Sequence, residues 1–263
     1  MPNYKLGTDD PKYIEDYGSG PWCMLCNKYK DGDIFSMLES MFLGFDAVRK
    51  QSEVDHLLFQ LREGSWLRTK YPHYPIAASH LRHYFENHKG TDADPLDIKY
   101  GDDMMEYFMS IAPKLRANFD AELKEAKSYC EEFSSTHSPD EMYDITSGTV
   151  ARGDFNGDND DLFFAIGGYQ YWGKGRFSFT EEQGGDKYNF YDSINHKQYQ
   201  RARYFYTLNF DFIFFDRYNW NKGQRADFYT PSDDTMGQYH KLGLAREYNI
   251  WGSFRLLIEW LES

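Results

Sequence analysis

The chain has 263 residues, a formal charge of −13, 41% hydrophobic residues and 19% aromatic ones, including 22 Tyr and 21 Phe. That apolar share supports a packed core and excludes a disordered chain. The acidity repels phosphate backbones and anionic headgroups, so it argues against nucleic-acid binding and favours a basic protein partner.

No run reaches the roughly 20 apolar residues that span a bilayer. The stretch from Met1 to Asp10 is polar, so no secretory leader is expected. The expectation is synthesis in the cytoplasm, with export by a specialised secretion system if the protein acts outside.

Residues 1–32 show no sustained period. They contain Cys23 and Cys26 in Trp-Cys-Met-Leu-Cys, a spacing open to redox chemistry, zinc or two structural thiols. Ile34, Met37, Leu38, Met41, Phe42, Phe45 and Val48 then fall at helical steps. Ser52 caps a second predicted helix carrying Val54, Leu57, Leu58 and Leu61, ended by Gly64. A proline turn over 71–75 precedes a predicted helix from Ile76 to about Asn87. Helical spacing resumes from Asp102 to Phe133, and Pro113 must split it.

The composition of 134–140 reads as a loop, and beyond it the period shifts towards two. Leu162–Ile166 is a short apolar run. Trp172-Gly173-Lys174-Gly175 reads as a hairpin turn between Tyr169/Tyr171 and Phe177/Phe179. The clearest strand is Tyr204–Phe214, whose even positions are all apolar. Ser232, Asp233 and Asp234 open a helix running to about Leu242. From Phe254 to Trp260 the alternation favours a closing strand, and a short helix fits almost as well. The predicted class is α+β: a helical region over 1–135, then a mostly antiparallel, aromatic-rich β-region over 136–263 with a C-terminal helix. The two form either separate units or one continuous domain.

Four clusters carry chemistry. His80 and His83 share one predicted helix face with Glu86, and His73 and His88 flank it. Two imidazoles and a carboxylate can hold a transition metal, and a solvated polar face explains the same spacing. Asp154, Asn156, Asp158 and Asp160 alternate around a Gly turn, as oxygen ligands do around calcium; the pattern resembles the calcium loops of FG-GAP and dockerin-type repeats, and a solvated turn is the alternative. Past the strong strand lies Asp216-Arg217-Tyr218-Asn219-Trp220-Asn221-Lys222, expected on a loop. There Asp216 is a candidate base or metal ligand, Tyr218 a proton donor, and Arg217 or Lys222 an anion clamp, with Trp220 as a further substrate contact. Finally, Met236 to Tyr248 supplies His240 for acid–base work and Arg246 and Glu247 after Gly243; a structural Arg–Glu pair is equally consistent.

The third and fourth clusters together, Phe215-Asp216-Arg217-Tyr218-Asn219-Trp220 and then Met236-Gly237 through Glu247-Tyr248 and Gly252, resemble C-terminal segments of bacterial polymorphic toxins and contact-dependent secreted effectors. The likeness covers mainly 160–253. It implies an antibacterial toxin with a cognate immunity protein or secretion chaperone. A second resemblance is to the colicin M type, which cleaves lipid-linked peptidoglycan precursors through a DxYD…HR signature. Asp216-Arg217-Tyr218 matches its first part; Asn219 stands where the second acid would be, and no His precedes Arg225. These readings make an envelope-directed hydrolase with Asp216, Tyr218, His240 and Glu247 in one pocket the leading expectation. The alternatives are a membrane-perturbing toxin using the Met37–Phe45 stripe and a calcium-dependent binding module.

Overall fold

The computed structural model describes residues 4–14, 74–86, 97–182, 188–192, 197–201, 203–220, 233–241 and 245–262. The expectations for Cys23, Cys26, the Ile34–Val48 and Ser52–Gly64 helices, His73, His88, Lys222 and Arg225 lie outside these residues.

Within them the chain runs β1 (Tyr4–Leu6), α1 (Pro75–Glu86), β2 (Ile98–Tyr100), α2 (Asp102–Ile111), α3 (Pro113–Ser134), β3 (Met142–Ser147), β4 (Ala151–Asp154) and α4 (Asp160–Ala165). It continues with β5 (Gly168–Glu181), β6 (Tyr188–Asp192), β7 (Lys197–Arg201), β8 (Tyr204–Tyr218), α5 (Asp233–Lys241) and β9 (Tyr248–Leu261). Six strands lie in the order β1-β3-β5-β8-β9-β2, with β4 also paired to β5, making a seven-stranded sheet; β6 and β7 form a separate pair.

This corrects the predicted class. The sheet is mixed, because β2 pairs with β9 in parallel. Among the described residues the helices sit mostly in the middle of the chain, and the N-terminal segment enters the sheet as β1; the closing strand favoured over 254–260 is present, as part of β9. A three-residue strand carries no period to read, and its position is fixed by distant contacts: Tyr4 Oη donates to Glu122 Oε2 on α3 at 2.8 Å.

The alternation in β8 explains the core. Tyr206, Leu208, Phe210, Phe212 and Phe214 are all fully buried on one face, each stabilising by on the order of 1.5–3 kcal/mol. Phe119 of α3 packs edge-on against Phe212 at 5.6 Å and Phe254 at 5.3 Å. Pro113 divides the helical run as its chemistry requires. Ala112 leaves the helix at φ −128°, and Pro113 occupies the first turn of α3, where its missing N–H has no partner to lose.

The turn expected at Trp172–Gly175 does not exist; β5 runs straight through it, paired to β8 from Gln170 to Glu181. The glycines serve the packing instead. A Cβ at Gly173 would strike the Tyr4 hydroxyl and the Phe210 ring, and one at Gly175 would lie 2.6 Å from the Asn209 carbonyl oxygen. Leu162–Ala165 of the apolar run is helical, in α4, where Asn159 Oδ1 caps the helix by accepting the Leu162 N–H at 3.0 Å.

On the opposite face, residues 7–14 cross the sheet as a strap. Tyr13 packs on Trp172, Phe215 and Trp251 with centroids 5.7, 4.7 and 5.4 Å away. Asp10 Oδ1 accepts from Trp172 Nε1 and Lys174 Nζ, both at 3.0 Å.

Candidate functional site

The third and fourth sequence clusters meet at one end of the β8–β9 ladder. Asp216, Arg217 and Tyr218 pair there with Ile250, Asn249 and Tyr248. The expectation that Asp216–Tyr218 lies on a loop is therefore corrected: β9 continues far enough to hold these residues in the strand. Strand geometry then separates them by face. Tyr218 points to the helical side, and Arg217 to the other.

On Arg217's side stands a buried ionic group. Its guanidinium lies 3.8 Å from Glu247 Oε2, with side-chain exposures of 8% and 0%, and Nη1 donates to Asn249 Oδ1 at 2.9 Å. Glu247 Oε1 accepts the Trp220 N–H at 3.4 Å. Nδ1 of His240, on α5, accepts the Glu247 backbone N–H at 3.1 Å. Arg246 is also buried, and its N–H donates to the Tyr84 carbonyl at 2.9 Å. Asp97 closes the end of β9 by accepting the Asn249 N–H at 3.0 Å.

On the other side is a nest of rings. Tyr218 packs on Tyr248, His80, Tyr84 and Trp220. His80, at 0% exposure, corrects the picture of a solvated helix face. Its Nδ1 lies 2.8 Å from Tyr248 Oη and its Nε2 2.6 Å from Tyr100 Oη. Tyr248 Oη also donates to the His80 carbonyl at 3.0 Å. With its one proton so used, Tyr248 accepts from Nδ1–H, and Nε2 accepts from Tyr100. Burial, aided by the charge of His83, lowers the His80 pKa to about 4, so the ring is neutral. Burial likewise pushes the Tyr84 and Tyr248 phenols well up, and nearby carboxylates add to this: Glu247 for Tyr84 and Asp216 for Tyr248. Tyr84 ties α1 to α5 by donating to the Met236 carbonyl at 2.7 Å.

The predicted residues thus divide. His240, Glu247, Arg217 and Arg246 are buried in the framework, Tyr218 has a small exposed edge, and Asp216 and Trp220 are half-buried at the rim. Sequence reasoning missed Tyr84, Tyr100 and Tyr248 as framework residues. For Tyr84 and Tyr100 the signal was the Tyr content alone, and Tyr248 stood in the fourth cluster without a role, since their partners come from α1, β2 and β9.

The Asp154–Asp160 segment is elsewhere, between β4 and α4. Its oxygens face an ammonium group. Lys114 Nζ lies 2.6 Å from the Asn156 carbonyl and 3.5 Å from Asp154 Oδ1, while the Lys114 N–H donates to Asp158 Oδ2 at 3.1 Å. Asp160 lies in the first turn of α4, where a carboxylate favours the helix dipole. Asp161 caps α1, accepting the Ala77 N–H at 2.8 Å. Among the described residues no group of three or more His, Cys, Asp or Glu side chains is arranged to hold a metal ion.

No family model matches the chain, and no curated protein matches it. Among solved structures it is similar to PaeM, a colicin M-like bacteriocin produced by Pseudomonas aeruginosa. The identity is 11% and the TM-score 0.33, over 71% of this chain and 51% of that one. The chain thus spans about half the length of that protein, and an overlay this loose assigns no activity.

Proposed function

We propose that the protein is an antibacterial effector that hydrolyses cell-envelope material, with Asp216 as its reactive carboxylate. One observation carries this reading. The two segments that resemble polymorphic toxins, 215–220 and 236–248, fold into one corner, with Arg217 and Glu247 3.8 Å apart. Burying charges costs desolvation free energy, and a rigid, buried framework of this kind is what holds reactive groups in place at a site. At its rim stand the half-buried Asp216 and Trp220.

In this reading Asp216 takes the proton of the attacking water. Trp220 and the edge of Tyr218 hold the apolar part of the substrate. Arg217, His240, Glu247 and Arg246 act as positioning residues. The net charge of −13 favours a basic immunity protein or secretion chaperone as partner.

Expression in a bacterial host with and without a periplasm-directing leader tests the proposal. Loss of viability with cell lysis is expected only when the protein reaches the periplasm. Unaffected growth in both compartments contradicts it.

A further inference from the structure

β9 extends well past its outer neighbour. β2 covers only Ile250, Trp251 and Gly252, and among the described residues no strand lies beside Ser253–Leu261 on that edge. Two contacts show which backbone groups point outward. The Glu262 N–H donates to the Tyr204 carbonyl of β8 at 2.9 Å, so even positions of β9 bond towards β8. The Arg255 N–H donates the other way, to Asp102 Oδ1 of α2 at 2.9 Å. Alternation along the strand then directs the N–H and C=O of Leu257, Glu259 and Leu261 away from β8. Their side chains stand on the face opposite the core, Leu257 at 65% exposure and Leu261 at 37%.

Free edges in monomers usually carry lysines, prolines or bulges. This one is complementary to itself when reversed. With a two-fold axis at Leu257, Arg255, whose guanidinium also donates to both carboxylate oxygens of Asp211 on β8 at 3.2 Å, faces Glu259 of a second copy, Leu257 faces Leu257, and Glu259 faces Arg255. On the core-side face Phe254 meets Trp260, and Leu256 meets Ile258. Hydrogen-bond parity agrees with side-chain parity. The Leu257 pair exchanges both backbone bonds, and each Glu259 N–H reaches the other copy's Arg255 carbonyl, while Asp102 keeps the Arg255 N–H and ends the ladder there. Opposite charges directly across a pair stabilise a sheet and like charges destabilise it. Moving the axis two residues either way sets Glu259 or Arg255 against itself. That charge pattern favours a second copy over an unrelated strand.

We propose that β9 pairs antiparallel with β9 of a second copy of this chain, in the register that opposes Arg255 to Glu259, joining two sheets into one. Sedimentation velocity of the full chain from about 5 to 500 µM tests it. A concentration-dependent dimer is expected. Leu257→Lys, at an exposed position that leaves the melting temperature unchanged, weakens it by about tenfold or more, because the axis sets two ammonium groups face to face. Glu259→Lys weakens it similarly, and the double variant Arg255→Glu with Glu259→Lys recovers part of that loss, less the repulsion that Arg255→Glu meets from Asp211 within the protomer. A protein that stays monomeric throughout overturns the proposal. So does a dimer that Leu257→Lys leaves unchanged, whatever the double variant does.

Discussion

Tyr218 and Tyr248 face each other across the β8–β9 ladder, ring centroids 5.1 Å apart and planes 15° from parallel. The stack joins the two segments that carry the candidate chemistry, and the Tyr248 hydroxyl extends the junction to α1 through the backbone and ring of His80. Tyr248→Phe keeps the stack and removes the hydroxyl, leaving buried groups of His80 without their partner. The expected cost is about 1–3 kcal/mol. It should appear in urea unfolding as a lower midpoint at unchanged slope.

His80 makes stability depend on pH in acid. Its folded pKa of about 4 lies below the unfolded 6.5, so the unfolded chain binds the extra proton between these values. The stabilisation is complete above pH 6.5 and is lost as pH falls towards 4, amounting to about 3 kcal/mol. His80→Gln should flatten the melting temperature over that window. An unchanged slope would place the titrating group elsewhere.

Glu122 acts in the opposite sense. It is buried on α3, where it accepts from Tyr4 of β1 at 2.8 Å and Ser147 of β3 at 2.9 Å. The Gly173 N–H of β5 donates to Ser147 Oγ at 3.0 Å, and Glu125 adds like charge from the same helix. Burial raises its pKa above 4.5. The folded state therefore holds the proton longer than the unfolded one, and stability falls as pH rises from 4.5 through the raised value. Glu122→Gln retains an acceptor and should raise the melting temperature at pH 7. A fall there would show that the carboxylate itself stabilises the junction of β1.

Calcium offers a simple check on the Asp154–Asp160 loop. With Lys114 Nζ held by the Asn156 carbonyl and Asp154, millimolar calcium should shift the melting temperature by less than about 1 °C. A rise of several degrees would mean that the ion displaces Lys114.

Much of the β-sheet core was legible because β8 buries every even residue from Tyr206 to Phe214, a period no helix shares. Pro113 likewise marked the α2–α3 break. What stayed hidden depends on partners far along the chain. Tyr4 finds Glu122 across 118 residues, so β1 had no local signature. Gly173 and Gly175 resemble turn residues until the Tyr4 hydroxyl and Asn209 backbone above them are known. The His80–His83 spacing suggested a surface, yet His80 is enclosed by Tyr100 and Tyr248 from two other strands. The approach of 216–220 to 240–248 had no signature in period or spacing and was expected only from the resemblance of the two segments. Its division into buried support and a half-buried rim was not, since burial is set by α1 and α5 together.

The Arg217–Glu247 pair separates support from chemistry. Glu247→Gln removes a counter-charge from a buried guanidinium and should cost about 3–5 kcal/mol of stability. Activity lost in that variant would follow from lost folding.

The most direct measurement is the survival of cells exporting the Asp216→Asn protein to the periplasm, beside the melting temperature of the same variant. If Asp216 is the reactive group, killing drops by about 100-fold or more, while the melting temperature moves by less than about 1 °C. Killing equal to the parent's from a folded Asp216→Asn protein would contradict a hydrolytic site at this end of the β8–β9 ladder.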